Sequence, residues 1–235
     1  MVPHYFIFQG VDSRTKGVHL ISYPPIIRPA RRVKYVSIPG RAGDVALEEG
    51  DHVYDAYDRT MEISNVKGAS LAAVQKWLTG HGTMIVSNEP TRAYTVDLAA
   101  RWQADKIIRG VWGGVLTMHT QPLKQSVPAE SDITVTSSGA TVTNPGDVPS
   151  APLIQIVGSG TISLTLGGKT LALTGVESGW KIDCETGWVL SAAGAALYGV
   201  CTGEPGKVRL PVGASSVLFT GSVTKLIITP RWRYL

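Results

Sequence analysis

A chain of 235 residues, 43% hydrophobic and 17% charged, has enough apolar side chains to bury a core without disulfide staples, and its composition excludes a disordered or collagen-like polymer. Its 26 glycines and 14 prolines, set among many Thr, Ser and Val residues, favour strands and turns over helices. The net charge of +4, from 22 basic and 18 acidic residues, is locally cancelled. Arg14, Lys16, Arg28, Arg31, Arg32, Lys34 and Arg41 stand against Asp12 and Asp44 in residues 1–44, and Glu48, Glu49, Asp51, Asp55 and Asp58 follow at once. A basic segment beside an acidic one is a poor surface for nucleic acid. It suits complementary faces in head-to-tail contacts between subunits.

In chain order, residues 5–8 read as a short apolar strand closed by Gly10, and residues 19–23 as a second, ended by Pro24-Pro25. The Pro- and Arg-rich residues 24–32 predict a loop or an edge. Residues 33–38 alternate without a cleanly polar face, and Pro39-Gly40 then forces a turn. Residues 61–66 read as a strand. Residues 70–80 predict the one clear helix, with Ser70 as its cap, Leu71, Val74 and Leu78 on one stripe, Trp77 beside it and Gly80 at its end. Strands resume at 83–87, 93–100 and 114–120. This is a β-rich α+β half.

Pro122 to Pro128 (Pro-Leu-Lys-Gln-Ser-Val-Pro) reads as a linker. It divides the chain into residues 1–125 and 126–235. Beyond it, residues 133–135, 140–142, 153–157, 162–166, 171–173, 179–183, 188–190, 208–210, 216–220 and 224–229 read as short strands at the spacing of a β-sandwich. Gly158-Ser159-Gly160 and Gly167-Gly168 read as hairpin turns. The fold expected is therefore mainly β, with a helix-bearing first domain and an all-β second domain.

The residues that carry chemistry are scattered. His4, His19, His52, His81 and His119 form no metal-ligand spacing, and no nucleophile elbow, phosphate loop or dinucleotide fingerprint is present. Asp183 and Glu185 straddle Cys184 and would share a strand face, as glycosidase carboxylates can, but the Glu185-Thr186-Gly187 turn favours a solvent-facing strand end. Cys184 and Cys201 lie in no paired motif and read as buried free thiols. The residues therefore imply no catalysis, no cofactor and no metal. The N-terminus lacks a charged-then-apolar leader and no apolar run reaches membrane length, so a soluble protein made in the cytosol is expected. Trp180, Trp188 and Tyr198 are candidate sugar-stacking side chains, weighed against core packing.

Several short strings, in order, resemble the siphophage distal tail protein (Dit) family over nearly the whole chain. They are Phe8-Gln9-Gly10 with Ser13 and Gly17-Val18, then Val33 to Asp44 (VKYVSIPGRAGD), then Trp77-Leu78. In the second half they are Pro152-Leu153, Gly158-Ser159-Gly160, Ile182-Asp183 and the ending Pro230 to Leu235 (PRWRYL). The resemblance implies that residues 1–125 form the belt of a homo-hexameric ring and residues 126–235 a galectin-like β-sandwich. Such a ring sits in the virion tail tip, or in a phage-derived particle such as a gene transfer agent. It joins the tail tube protein to the tail-tip hub of the baseplate and host-adhesion device, and the tape-measure protein and DNA pass through its channel. The expected inter-subunit residues are Arg41, Asp44, Arg31, Arg32, Glu48 and Glu49, with Arg41 offering a planar donor to a neighbouring carboxylate. The rival expectation is a carbohydrate-binding adhesin that reads host-surface glycans through Trp180, Trp188 and Tyr198.

Overall fold

The computed structural model of the protein describes residues 4–99 and 102–235. The chain forms two compact units that divide between Val127 and Pro128. The first contains β1 (Phe6–Phe8), β2 (Val11–Asp12), β3 (His19–Leu20), β4 (Val33–Ser37), β5 (Asp44–Glu48), β6 (Tyr57–Lys67), β7 (Gly80–Val86), β8 (Arg92–Leu98), β9 (Asp105–Ile108), β10 (Val111–Thr120) and β11 (Gln125–Ser126). Its main sheet runs β2-β1-β7-β8-β10-β6-β3, with β9 added to β10 and β11 to β8; β4 and β5 pair only with each other.

Period-two alternation puts Phe6, Phe8, Met61, Ile63, Met84, Val86, Val96, Leu98, Leu116 and Met118 in one buried cluster. The helix α1 (Leu71–Trp77) adds Val74, and Leu78 follows at its end. Trp77 stacks nearly parallel on Phe6, with ring centroids 5.7 Å apart. A helix of seven residues is too short to persist by propensity, so these contacts hold it. Ser70 is not its side-chain cap: it makes no such hydrogen bond, because a 3-10 turn, Gly68–Ser70, leads into the helix. Gly80 does not end the helix either. Its φ of +85° turns the chain into β7. The strand expected over 19–23 stops at Leu20, with one further backbone bond from Ile21 to the Glu62 carbonyl.

The second unit contains β12 (Ile133–Val135), β13 (Ala140–Asn144), β14 (Leu153–Leu166), β15 (Lys169–Val176), β16 (Lys181–Asp183), β17 (Trp188–Leu190), β18 (Ala196–Leu197), β19 (Cys201–Thr202) and β20 (Gly213–Thr229). The sheet path is β12-β20-β14-β16-β17-β18, with β13 on β20, β15 on β14 and β19 on β15. The inward residues of all these strands meet in a single cluster that includes Ile154, Ile156, Ile162, Leu164, Leu173, Ile182, Val189, Val217, Leu226 and Ile228. One sheet can enclose one core only by folding over into two layers.

The fold-over is made by β14 and β20, which stay paired from Leu153↔Thr229 to Thr165↔Leu218 through two register shifts. Gly158-Ser159-Gly160 is therefore a bend within one strand and not the expected hairpin turn. The reason is steric. A Cβ at Gly158 would lie 2.4 Å from the Ser222 carbonyl oxygen, and one at Gly221 would lie 2.4 Å from that of Thr161. Only glycines let the two backbones cross this closely. One extra residue in β20, between the partners of Val157 and Gly158, also exchanges its faces. Val217 is buried and Phe219 and Val223 pack on the core before the bulge; Leu226 and Ile228 are buried after it. Residues 208–210 form only a bridge, Ser150↔Leu210, although Val208 and Leu210 are buried as a strand would bury them.

Candidate assembly interface

One part of the first unit that contributes no residue to its buried cluster is the ribbon between Ala30 and Asp55. Backbone bonds from Arg32 to the Val53 carbonyl (3.0 Å) and from Asp55 to the Ala30 carbonyl (2.9 Å) build its stem, and β4 and β5 continue it from Val33↔Glu48 to Ser37↔Asp44. Eight extended residues, Ala30 to Ser37, reach about 25 Å. The tip is a type II turn: the Arg41 N–H donates to the Ile38 carbonyl at 3.1 Å, Pro39 presets the first central position, and Gly40 takes the second at φ +81°.

Neither face of the ribbon is buried. Tyr35 is 68% exposed, Leu47 50% and Ile38 43%. Isolated two-stranded ribbons are marginal in water, and this one holds three apolar side chains out to solvent. Arg31 donates to Glu48 at 3.0 Å and Arg32 to Asp55 at 2.7 Å. Both pairs are half-exposed, worth about 0–1 kcal/mol each. Of the residues expected from sequence to bind a neighbour, Arg31, Arg32 and Glu48 are thus engaged inside the ribbon. Glu49 is exposed beside them, its N–H reaching the Arg32 carbonyl at 3.4 Å. Arg41 and Asp44 lie exposed at the distal end, with no side-chain partner among the described residues. Sequence reasoning on charge missed Tyr35, Leu47 and Ile38. The available signal was the alternation of residues 33–38 with no polar face.

A charged cluster sits inside the same unit. Lys124 Nζ donates to Glu89 Oε1 at 2.8 Å, with the lysine side chain 4% exposed, and the Tyr94 hydroxyl donates to Glu89 Oε2. The Arg59 guanidinium lies 4.5 Å above the Tyr94 ring. Arg59 is buried, and its Nε and Nη2 have no hydrogen-bond partner among the described residues. Burial, reinforced by the hydrogen bond to Glu89, pushes the Tyr94 phenol far above its ordinary value. Glu89 is the only carboxylate bonded to this group among the described residues.

In the second unit, the aromatic residues part company. Trp180 is 6% exposed and packs in the core, so it has no face to offer a sugar, and its expected glycan-facing role is corrected. Trp188 (45% exposed) and Tyr198 (75% exposed) stay at the surface, edge to face with centroids 5.6 Å apart. Asp183 and Glu185 are held by the C-terminal segment. Arg231 Nη1 donates to Asp183 Oδ1 at 2.7 Å and to Glu185 Oε2 at 3.1 Å, and Arg233 reaches Glu185 at 3.4 Å. Burial pushes the Asp183 carboxyl up, but the Arg231 hydrogen bond and the Glu185 backbone N–H outweigh it and hold it below its usual range. A glycosidase acid needs the opposite shift. Among the described residues no group of three His, Cys, Asp or Glu side chains could hold a metal ion, and no helix is long and apolar enough to cross a membrane. Cys184 and Cys201 are free, and burial pushes the Cys184 thiol up to about 12, which leaves it unreactive.

The depressed Asp183 pKa has a stability consequence. Its ion pair with Arg231 contributes fully above the unfolded carboxyl value of about 3.9 and is lost as pH falls through the lower folded value. Urea unfolding of Asp183→Asn is expected to be weaker than wild type at neutral pH and to converge on it in acid; a constant difference at all pH values would contradict this.

Comparison with known proteins bears on the fold. No protein-family model matches the chain, and no curated protein does. Among solved structures it is similar to the SPP1 Dit protein (gp 19.1), described as a paradigm of the hub adsorption apparatus in Gram-positive infecting phages. The TM-score is 0.74, the sequence identity 16%, and 99% of each chain is covered. Over its whole length, then, this chain has the Dit fold that its short sequence strings resemble.

Proposed function

We propose that this chain is a structural distal tail protein of a phage tail tip. In this reading it assembles into a homo-hexameric ring between the tail tube protein and the tail-tip hub, and leaves a channel for the tape-measure protein and DNA. The observation that carries the reading is the Ala30–Asp55 ribbon, an arm with apolar residues on a surface that this chain itself does not cover. The Dit-like fold supports it, because a subunit of that fold carrying a free arm is suited to head-to-tail closure. The chain works without catalysis in this account: the Asp183 and Glu185 carboxylates are paired with Arg231 and Arg233.

Negative-stain microscopy with light-scattering mass tests the reading. Six-fold rings with a central hole are expected, alone or on addition of tail tube protein. A monomer under both conditions overturns it. Arg41→Ala, which removes the free guanidinium at the ribbon tip, is expected to weaken ring formation about tenfold, as loss of a charge-assisted contact of ~1.5 kcal/mol would. Unchanged assembly of the variant would remove Arg41 from the interface.

A further inference from the structure

Two cations and one carboxylate share the interior of the first unit. The Arg59 guanidinium and Lys124 Nζ lie 4.5 Å and 5.3 Å from the centre of the same Tyr94 ring. Glu89 takes Lys124 on one oxygen and the Tyr94 hydroxyl on the other, which leaves Arg59 no bonded carboxylate among the described residues. Asp58, next to Arg59, and Asp97, next to Val96, alternate onto the opposite face of the sheet, where Asp58 takes His119 at 2.9 Å. The group therefore holds one positive charge in excess, and the unanswered charge sits on a side chain that is 2% exposed.

Strand register puts a second buried polar group beside it. On the inner face Thr120 of β10 stands between Tyr57 of β6 and Val96 of β8. Both outer strands run antiparallel to β10; Arg59 lies two residues after Tyr57, and Tyr94 two residues before Val96. A side chain that reaches from Arg59 to the Tyr94 ring therefore crosses over Thr120. Thr120 is fully buried, and its Oγ1, like Arg59 Nε and Nη2, has no hydrogen-bond partner among the described residues. The two guanidinium nitrogens can only donate, and the threonine hydroxyl is free to turn and donate with them. Buried donors left unpaired are costly, and a buried charge left unpaired costs more. A water would satisfy the hydrogen bonds and leave the charge; a monovalent anion satisfies both. We propose that Arg59 and Thr120 form a buried site for one small monovalent anion of the chloride class, held by Nε–H, Nη2–H and the Thr120 hydroxyl. The site lies within the first unit and uses no residue of the ribbon, so it stands apart from the ring reading.

The test is thermal unfolding of the full chain at constant ionic strength, with sodium chloride exchanged for sodium gluconate, joined to diffraction from crystals soaked in sodium bromide. Chloride at about fifteen times its dissociation constant is expected to raise the midpoint by roughly 3–6 °C. One anomalous bromide peak is expected within hydrogen-bond distance of Arg59 Nε and Thr120 Oγ1. Arg59→Met removes the excess charge together with its donors and is expected to abolish the chloride response; what shift remains in this variant is the background effect of the salts. Thr120→Val keeps the shape and drops the hydroxyl, and is expected to weaken chloride binding about tenfold. It serves alone if Arg59→Met does not fold. The same midpoint in chloride and gluconate, or a chloride response equal to wild type in the variants, overturns the proposal. So does density at the site without an anomalous signal, which would be a water. A bromide peak with no chloride response in solution would be an adventitious ion only and overturns it as well.

Discussion

Replacing Tyr35 and Leu47 together by serine is expected to leave the chain folded and to abolish its proposed ring. Both side chains are at least half-exposed and neither belongs to the buried clusters, so their loss from the isolated chain should change stability by about 0.5 kcal/mol or less per site. In an assembly that covers the ribbon they would be desolvated. Full burial of such a side chain contributes about 1.5–3 kcal/mol, and the part still exposed here accounts for about half of that. The pair is then worth about 1.5–3 kcal/mol per contact, or roughly a 10- to 150-fold loss of affinity. A closed ring repeats each contact around its circumference, so the loss compounds. Light scattering at matched concentration should report monomer for the variant, with an unchanged urea midpoint. Rings of normal mass would show that the ribbon is not the contact.

The second large effect is expected in the interior of the first unit. Glu89→Ala removes the carboxylate that holds Lys124 and receives the Tyr94 hydroxyl. It leaves a lysine with its side chain 4% exposed and the buried Arg59 facing Tyr94 with no bonded counter-charge among the described residues. Breaking a buried pair from one side costs about 3–5 kcal/mol, because the surviving charge stays desolvated. Lys124→Met is expected to cost far less: it removes one buried charge outright and leaves Glu89 its bond from Tyr94. Urea unfolding of the two variants separates them. Equal losses would mean that the cluster acts through packing and not through charge.

Period-two alternation made much of the second unit legible in advance. Ile162, Leu164 and Leu166, then Leu171 and Leu173, are all buried as their spacing requires. Pro39-Gly40 specified its turn because a preset φ and a positive φ admit few other geometries. The charge pattern of residues 28–58 was visible too, but its meaning was not: Arg31 and Arg32 are answered by Glu48 and Asp55 across the stem of their own ribbon.

By itself, then, the sequence determined the β-rich class, the single short helix and many of the longer strands, because propensity, turn chemistry and alternation are properties of near neighbours along the chain; short strands such as Asp44–Glu48 and Asp105–Ile108 left no such pattern. Only the tertiary structure decided that β14 and β20 bend together through Gly158 and Gly221, since the clash that demands glycine is with a strand some 60 residues away in sequence, an order of separation that no local pattern encodes. It also decided that Trp180 is core while Trp188 is surface. Both residues border β-strands of similar composition, and only the pairing of Asp183 with Trp188 beside the buried Ile182 and Val189 sets which way each ring faces. A ribbon left uncovered is likewise a tertiary fact: residues 33–38 alternate without a polar face, and their exposure follows from the absence of any third described strand beside them.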